Sequence, residues 1–275
     1  MLKSKRKLVI TLSVVGVIIL LLILSSALFS LKTVTVDFAT INSDSANSVL
    51  INYDKDEIVK VGNFAYNKNI LFISYSGAKD RIEKAFPFAK VQGFTRHFPS
   101  SVVVTLTERE PVIKVARTDG KWAILDDELK VLMISNSLSE YYANLPTLDS
   151  TALNVNGVEE GSFVSSNYLS EALHNIKRGI TDNDVNLNMK TISSISIEPG
   201  ESSLNYHINI VLNDGCKIVL KGLNNLAEKS LGTFKRYKTD VRTNTTTYPD
   251  ITKVTISVES DYTLKNGIIS VKIAS

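Results

Sequence analysis

The side chains in this chain that can act as ligands, nucleophiles or proton carriers are few and scattered. Its histidines are His97, His174 and His207, none paired with a second His or a Cys at metal-ligand spacing, and no HExxH sequence occurs. His97 follows Arg96 in a turn, His174 falls in a helical stretch and His207 on the polar face of a strand, all positions that suit solvated or packing roles. Cys216 is the single cysteine and follows a hairpin glycine with no base beside it in sequence. It reads as a structural thiol, and it excludes an intramolecular disulfide framework. Carboxylates cluster at Glu108/Glu110, Asp126–Glu128 and Glu159/Glu160. Such pairs do acid–base work only when folding sets them a few ångströms apart in a cleft. Here Glu108 and Glu110 alternate with Arg109 at a strand end, and Asp126–Glu128 lies at a turn. No GxSxG elbow and no Gly-rich phosphate loop is present; the 13 glycines are dispersed. The expectation is a protein without catalytic residues, metal, cofactor or small-molecule substrate.

Charge narrows the partners. Lys3, Lys5, Arg6 and Lys7 take four of the 31 basic residues, leaving 27 against 28 acidic ones in the rest of the 275-residue chain. A near-neutral body with its positive charge at one tip lacks the basic face that nucleic acid requires. Leu8 to Leu31 holds no charged residue. About twenty residues of helix cross the roughly 30 Å hydrocarbon core of a bilayer. The basic cluster lies before the apolar stretch and only Lys32 follows it closely, which puts the N-terminus in the cytoplasm and the body outside. Ser25-Ser26-Ala27 also offers the small residues of a signal-peptide cleavage site, but the preceding apolar run is longer than a signal core. Residues 1–7 thus read as a cytoplasmic tail and 8–31 as an uncleaved transmembrane helix and flank.

The exported body has an α+β pattern. Thr33–Phe38 alternates as a strand, Asp54 or Asp56 opens a short helix, and Ser76 opens a second with Ile82, Ala85 and Phe86 on one face. Strands at Ala89–Thr95 and Ser101–Thr107 complete a β-α-α-β-β domain over residues 32–114. Residues 115–275 form a β-rich second domain. Asp119-Gly120, Asp214-Gly215 and Asn266-Gly267 each separate two apolar runs, the signal of tight hairpins. Two helices interrupt these strands, at about Ser166–Arg178 and Asn224–Thr239. Near the chain end, Val254, Ile256 and Val258 lie on one face of a strand. A terminal hairpin can supply a sheet edge whose unpaired N–H and C=O groups a partner extends; the plainer reading is a strand that simply completes the sheet.

FTRHFPSSVVVTLTEREP at 94–111 has an Arg and a Pro turn before a valine-rich strand and a T-E-R-x-P run, and in this it resembles the FtsQ/DivIB family of bacterial cell-division proteins. Arg96 and Pro99 match the turn, and Thr107, Glu108, Arg109 and Pro111 match the run. KWAILDDELKVL resembles the following hairpin, with Leu129-Lys130 where the family usually has a Gly; Leu145–Leu148 and Ile218–Leu231 match later segments in order. The resemblance implies a first domain of the POTRA type. It also implies a non-enzymatic, single-pass membrane scaffold at the septum that holds FtsB/DivIC-like and FtsL-like proteins and so regulates septal peptidoglycan synthesis. Carried over, the partner's added strand would lie along Val254, Thr255, Ile256, Ser257 and Val258, with Ser260 and Tyr262 flanking. The alternatives are an exported cell-wall hydrolase and a surface adhesin carrying an N-terminal signal or anchor.

Overall fold

The computed structural model describes residues 13–17, 28–39, 48–166, 168–183, 187–199, 206–260 and 269–275. They form two compact units, Met1–Glu108 and Arg109–Ser275. Lys114, near which a boundary was expected, lies inside a strand of the second. Ser13–Val17 is helical, but most of the apolar stretch Leu8–Leu31 lies outside the described residues. Among the described residues no helix is long and apolar enough to cross a membrane.

The first unit runs β1 (Thr33–Phe38), α1 (Lys55–Gly62), α2 (Ser76–Ala85), β2 (Ala89–His97) and β3 (Ser101–Glu108). Its three-stranded sheet has the order β1-β3-β2, with β1 parallel and β2 antiparallel to β3. The period-two pattern of β3 turns Val102, Val104 and Leu106 inward, level with Val34 and Val36 of β1. Ile58 of α1 and Ala78 and Ile82 of α2 cover that face. Asp54 caps α1 by accepting from Asp56 N–H at 2.9 Å, and Asn63 ends it in the left-handed region at φ 45°.

The second unit is one nine-stranded sheet. Its strands are β4 (Ile113–Ala116), β5 (Trp122–Leu125), β6 (Val131–Ser135), β7 (Thr147–Leu148), β8 (Ile192–Pro199), β9 (Tyr206–Leu212), β10 (Lys217–Lys221), β11 (Thr255–Ser260) and β12 (Ile269–Ala274). In space they follow the order β12-β11-β10-β9-β8-β7-β4-β5-β6. A single turn, α3 (Glu140–Ala143), and two longer helices, α4 (Leu169–Asn183) and α5 (Leu226–Arg236), interrupt them. Leu169, Ala172, Leu173, Ile176 and Ile180 give α4 the apolar stripe expected of a core-facing helix. The two helices cross closely at Gly179, where a Cβ would come within 2.7 Å of the Ser230 Cβ. Beneath them lie Ile208, Ile210 and Leu212 of β9, Ile218 and Leu220 of β10, and Ile256 and Val258 of β11.

Candidate protein-interaction edge

The strand expected to form the exposed edge does not form it. Thr255–Ser260 lies between β10, to which it is parallel, and β12, to which it is antiparallel. Its main-chain groups are used on both sides, and Val254, Ile256 and Val258 are fully buried. Among the described residues the sheet ends instead at β12. Tyr262 and the Asn266-Gly267 turn lie outside the described residues.

Hydrogen-bond parity identifies the groups that β12 leaves open. Lys217 N–H donates to Val254 O at 3.0 Å while Lys217 stands level with Thr255. In a parallel ladder a residue bonds the two neighbours of its partner, so Val254 points its C=O, and Ile256 and Val258 both main-chain groups, toward β10, while the Val254 N–H donates to Ile251 O at 3.1 Å. Residues 255, 257 and 259 then point toward β12, where they face Ala274, Lys272 and Ser270. By the same alternation, Ile269, Val271 and Ile273 turn both main-chain groups away from the sheet. These residues carry the row of donors and acceptors an incoming strand would meet.

Their side chains point to the helical face and pack on the core. Gly232 of α5 makes room for this, since a Cβ there would come within 2.5 Å of Ile269 Cδ1. Charge is concentrated on the opposite face. Glu259 accepts from Lys272 Nζ at 3.2 Å and lies 3.7 Å from Lys221 Nζ, and these lysines hold its carboxyl below the usual range.

Buried polar groups lock the layer beneath. Lys229 of α5 is fully buried and its Nζ donates to Lys221 O at 2.6 Å, Gly222 O at 3.1 Å and Asn224 Oδ1 at 2.9 Å. Burial lowers this ammonium to about 8. Tyr237 Oη donates to Asp214 Oδ2 at 2.5 Å, and Asp214 Oδ1 accepts from Cys216 N–H. Burial pushes the Cys216 thiol up to about 12. The thiol is therefore held neutral inside the core.

The family-motif residues fall in both units. Arg96 Nε donates to Ile70 O at 2.7 Å and Nη2 to Ile73 O, while its guanidinium lies over Tyr75. Pro99 stands in the β2–β3 turn after a cis peptide bond. The Glu108 carboxylate accepts from Ser48 Oγ, Val49 N–H and Leu50 N–H at 2.6, 2.6 and 3.2 Å. Arg109, buried, donates to Asp126 at 2.7 Å and Glu128 at 2.6 Å, and its guanidinium faces the Phe163 ring. Pro111 is buried at the start of the second unit. Leu129 takes the left-handed conformation, φ 63°, that the resemblance assigns to a glycine. Asp126 holds that turn together by accepting from the N–H groups of Glu128 and Lys130.

The carboxylates read from sequence are thus engaged in structural contacts, Asp126 and Glu128 converging on Arg109 and the others held apart. Glu110 pairs with Lys177 at 2.7 Å, and Glu160 accepts from Ile134 N–H. His174 approaches Asp127 at 3.2 Å, a pairing that sequence separation concealed. Among the described residues no three His, Cys, Asp or Glu side chains are gathered as a metal site.

A β-α-α-β-β unit of this kind is a POTRA domain, and residues 48–109 match the POTRA domain family of the FtsQ type. The chain is also 31% identical over 81 residues to the cell division protein FtsQ of Corynebacterium glutamicum. That stretch covers 30% of this chain and 36% of the relative, so the chain matches little more than a third of the relative's length. Both matches bear out the resemblance to the FtsQ/DivIB family.

Proposed function

We propose that the protein is a non-enzymatic, membrane-anchored scaffold of the bacterial division septum that binds a partner by strand addition at β12. The observation that carries this reading is the row of main-chain groups at Ile269, Val271 and Ile273, which no strand pairs among the described residues. Each main-chain hydrogen bond gained there nets roughly 0.5–1.5 kcal/mol, so a few of them with flanking side chains suffice for a specific complex. The FtsQ-type domain supports the setting. The partner is a small bitopic protein of the FtsB/DivIC kind, with an FtsL-like protein in the same assembly, through which septal peptidoglycan synthesis is regulated. Val254 to Val258 form the layer behind the contact and Ser260 stands at its end, while Tyr262, which the resemblance also assigns to the contact, lies outside the described residues. The uncharged run Leu8–Leu31 and the basic cluster before it support a single-pass anchor with the body outside the cell.

Depletion in the native host should give filaments or chains of undivided cells, with a fluorescent fusion at midcell. Val271→Pro, which removes an outward-facing donor, should accumulate normally and fail to restore division. Normal division on depletion would overturn the reading.

A further inference from the structure

The first unit carries an apolar cluster at one end that its own core does not use. Phe72 is 85% exposed, Phe98 60%, Leu28 58% and Leu71 46%. Monomeric proteins rarely gather exposed apolar side chains in this way without a partner for them. Three segments bring these residues together. Ile70 N–H donates to Phe29 O at 2.8 Å, Leu31 N–H to Lys68 O at 2.9 Å, and Asn67 N–H to Leu31 O at 3.0 Å. Phe98, at the β2–β3 turn, packs edge-on against Phe29 with ring centroids 5.8 Å apart. The loop is also firmly built. Asn69 accepts from the N–H groups of Leu71 and Phe72, and Arg96 clamps the carbonyls of Ile70 and Ile73 on either side.

The place of this cluster in the chain points to its occupant. Phe29 and Leu31 end the long apolar run, so the main chain ties the loop to the point where that run stops. The three segments, 28–33, 65–76 and 94–101, contain Lys32, Lys68 and Arg96 and no Asp or Glu. Lys32 and Lys68 are exposed. Apolar tips ringed by cations and free of carboxylates match the headgroup region of a bilayer, where rings enter the acyl boundary and lysines meet phosphates.

We propose that this end of the POTRA domain docks on the outer surface of the membrane, with Leu71, Phe72 and Phe98 inserted at the headgroup boundary and Arg96 holding the loop in its inserting shape. The domain is then held at a fixed attitude beside its anchor. This rests on the reading of Leu8–Leu31 as a membrane span, and the experiment separates the two.

The full chain has a single Trp, Trp122, so a Trp122→Phe background leaves it free of tryptophan. In that background three probes are introduced one at a time, Phe72→Trp, Ile51→Trp and Leu20→Trp, and each chain is reconstituted into vesicles of phosphatidylglycerol and phosphatidylcholine. Ile51 is the control. It is 50% exposed and sits by Glu108, at the opposite end of β3 and about 20 Å from the cluster. The expected result is blue-shifted Phe72→Trp emission that lipids brominated near the headgroup quench by well over half, with Ile51→Trp unquenched. Solvent-like, unquenched Phe72→Trp emission beside a quenched Leu20→Trp probe would overturn membrane docking and leave the anchor intact. A Leu20→Trp probe left unquenched by lipids brominated deep in the acyl chains, which reach the middle of the span, would overturn the anchor and the docking together.

Discussion

Glu108 and Arg109 are neighbours in sequence whose side chains close two different units. The Glu108 carboxylate gathers Ser48, Val49 and Leu50 in the first, while Arg109 pairs with Asp126 and Glu128 in the second. The T-E-R-x-P run is therefore a double clasp, one residue per unit. Asp126 shows the cost of the second clasp, since burial raises its carboxyl despite the guanidinium beside it.

Removing the Arg109 guanidinium should strand the buried Asp126 carboxylate. We expect Arg109→Ala to lower stability by about 3–5 kcal/mol in urea unfolding. The double variant Arg109→Met, Asp126→Leu should recover a large part of that loss, because it removes both buried charges. Equal losses in the single and double variants would show that the ion pair is not the source.

The buried ammonium of Lys229 should make stability depend on pH. Its folded pKa, about 8, lies below the ordinary lysine value near 10.4, so the unfolded chain binds more protons between them. Stability therefore rises with pH across that window, by up to about 3 kcal/mol from this group. Below about pH 8 both states are protonated and the dependence flattens. The measurement is the difference between the parent and Lys229→Met, which cancels other groups titrating in the window. A difference that stays constant from pH 7 to pH 10 would contradict the assignment.

Cys216 should serve as an internal reporter of unfolding. A thiol held near 12 and shut off from solvent has almost no thiolate at pH 8. A chromogenic disulfide reagent should leave the native protein unlabelled and react at once in denaturant. Stoichiometric labelling of the folded chain within the mixing time would show that the thiol is open to solvent.

Proline placement should separate the two kinds of backbone donor around β12. Val271→Pro and Ile273→Pro remove outward-facing donors and lose only part of a partly buried side chain, so they should lower the thermal transition of the full chain in detergent the less. Lys272→Pro and Ser257→Pro remove donors that pair β11 with β12, and should lower the transition by several degrees. Only the first pair tests partner binding cleanly. Equal destabilisation in all four would show that the parity of the edge is reversed.

Legibility in the sequence followed regular periodicity. Ile208, Ile210 and Leu212 recur at every second position, and Val102 to Leu106 is a valine-rich run, so their strands could be read directly. Strand β8 could not, because the register shift between Ile192 and Ser194 breaks its alternation. Strand β7 is two residues long and has no period to detect. The edge was misplaced by one strand for a topological reason. Two terminal strands were visible, but which of them faces solvent depends on β10, reached only through the α5 crossover as a parallel neighbour. Lys229 and Lys130 were hidden because a basic residue reads as surface until its acceptors are known.

Amide hydrogen exchange along β12 tests strand addition most directly. In the free chain the amides of Val271 and Ile273 should exchange quickly while those of Ser270 and Lys272, bonded to β11, are protected. Addition of an FtsB/DivIC-like partner should slow Val271 and Ile273 by at least tenfold and leave Lys272 little changed. A complex that forms while Val271 and Ile273 continue to exchange at their free rates would contradict strand addition at this edge.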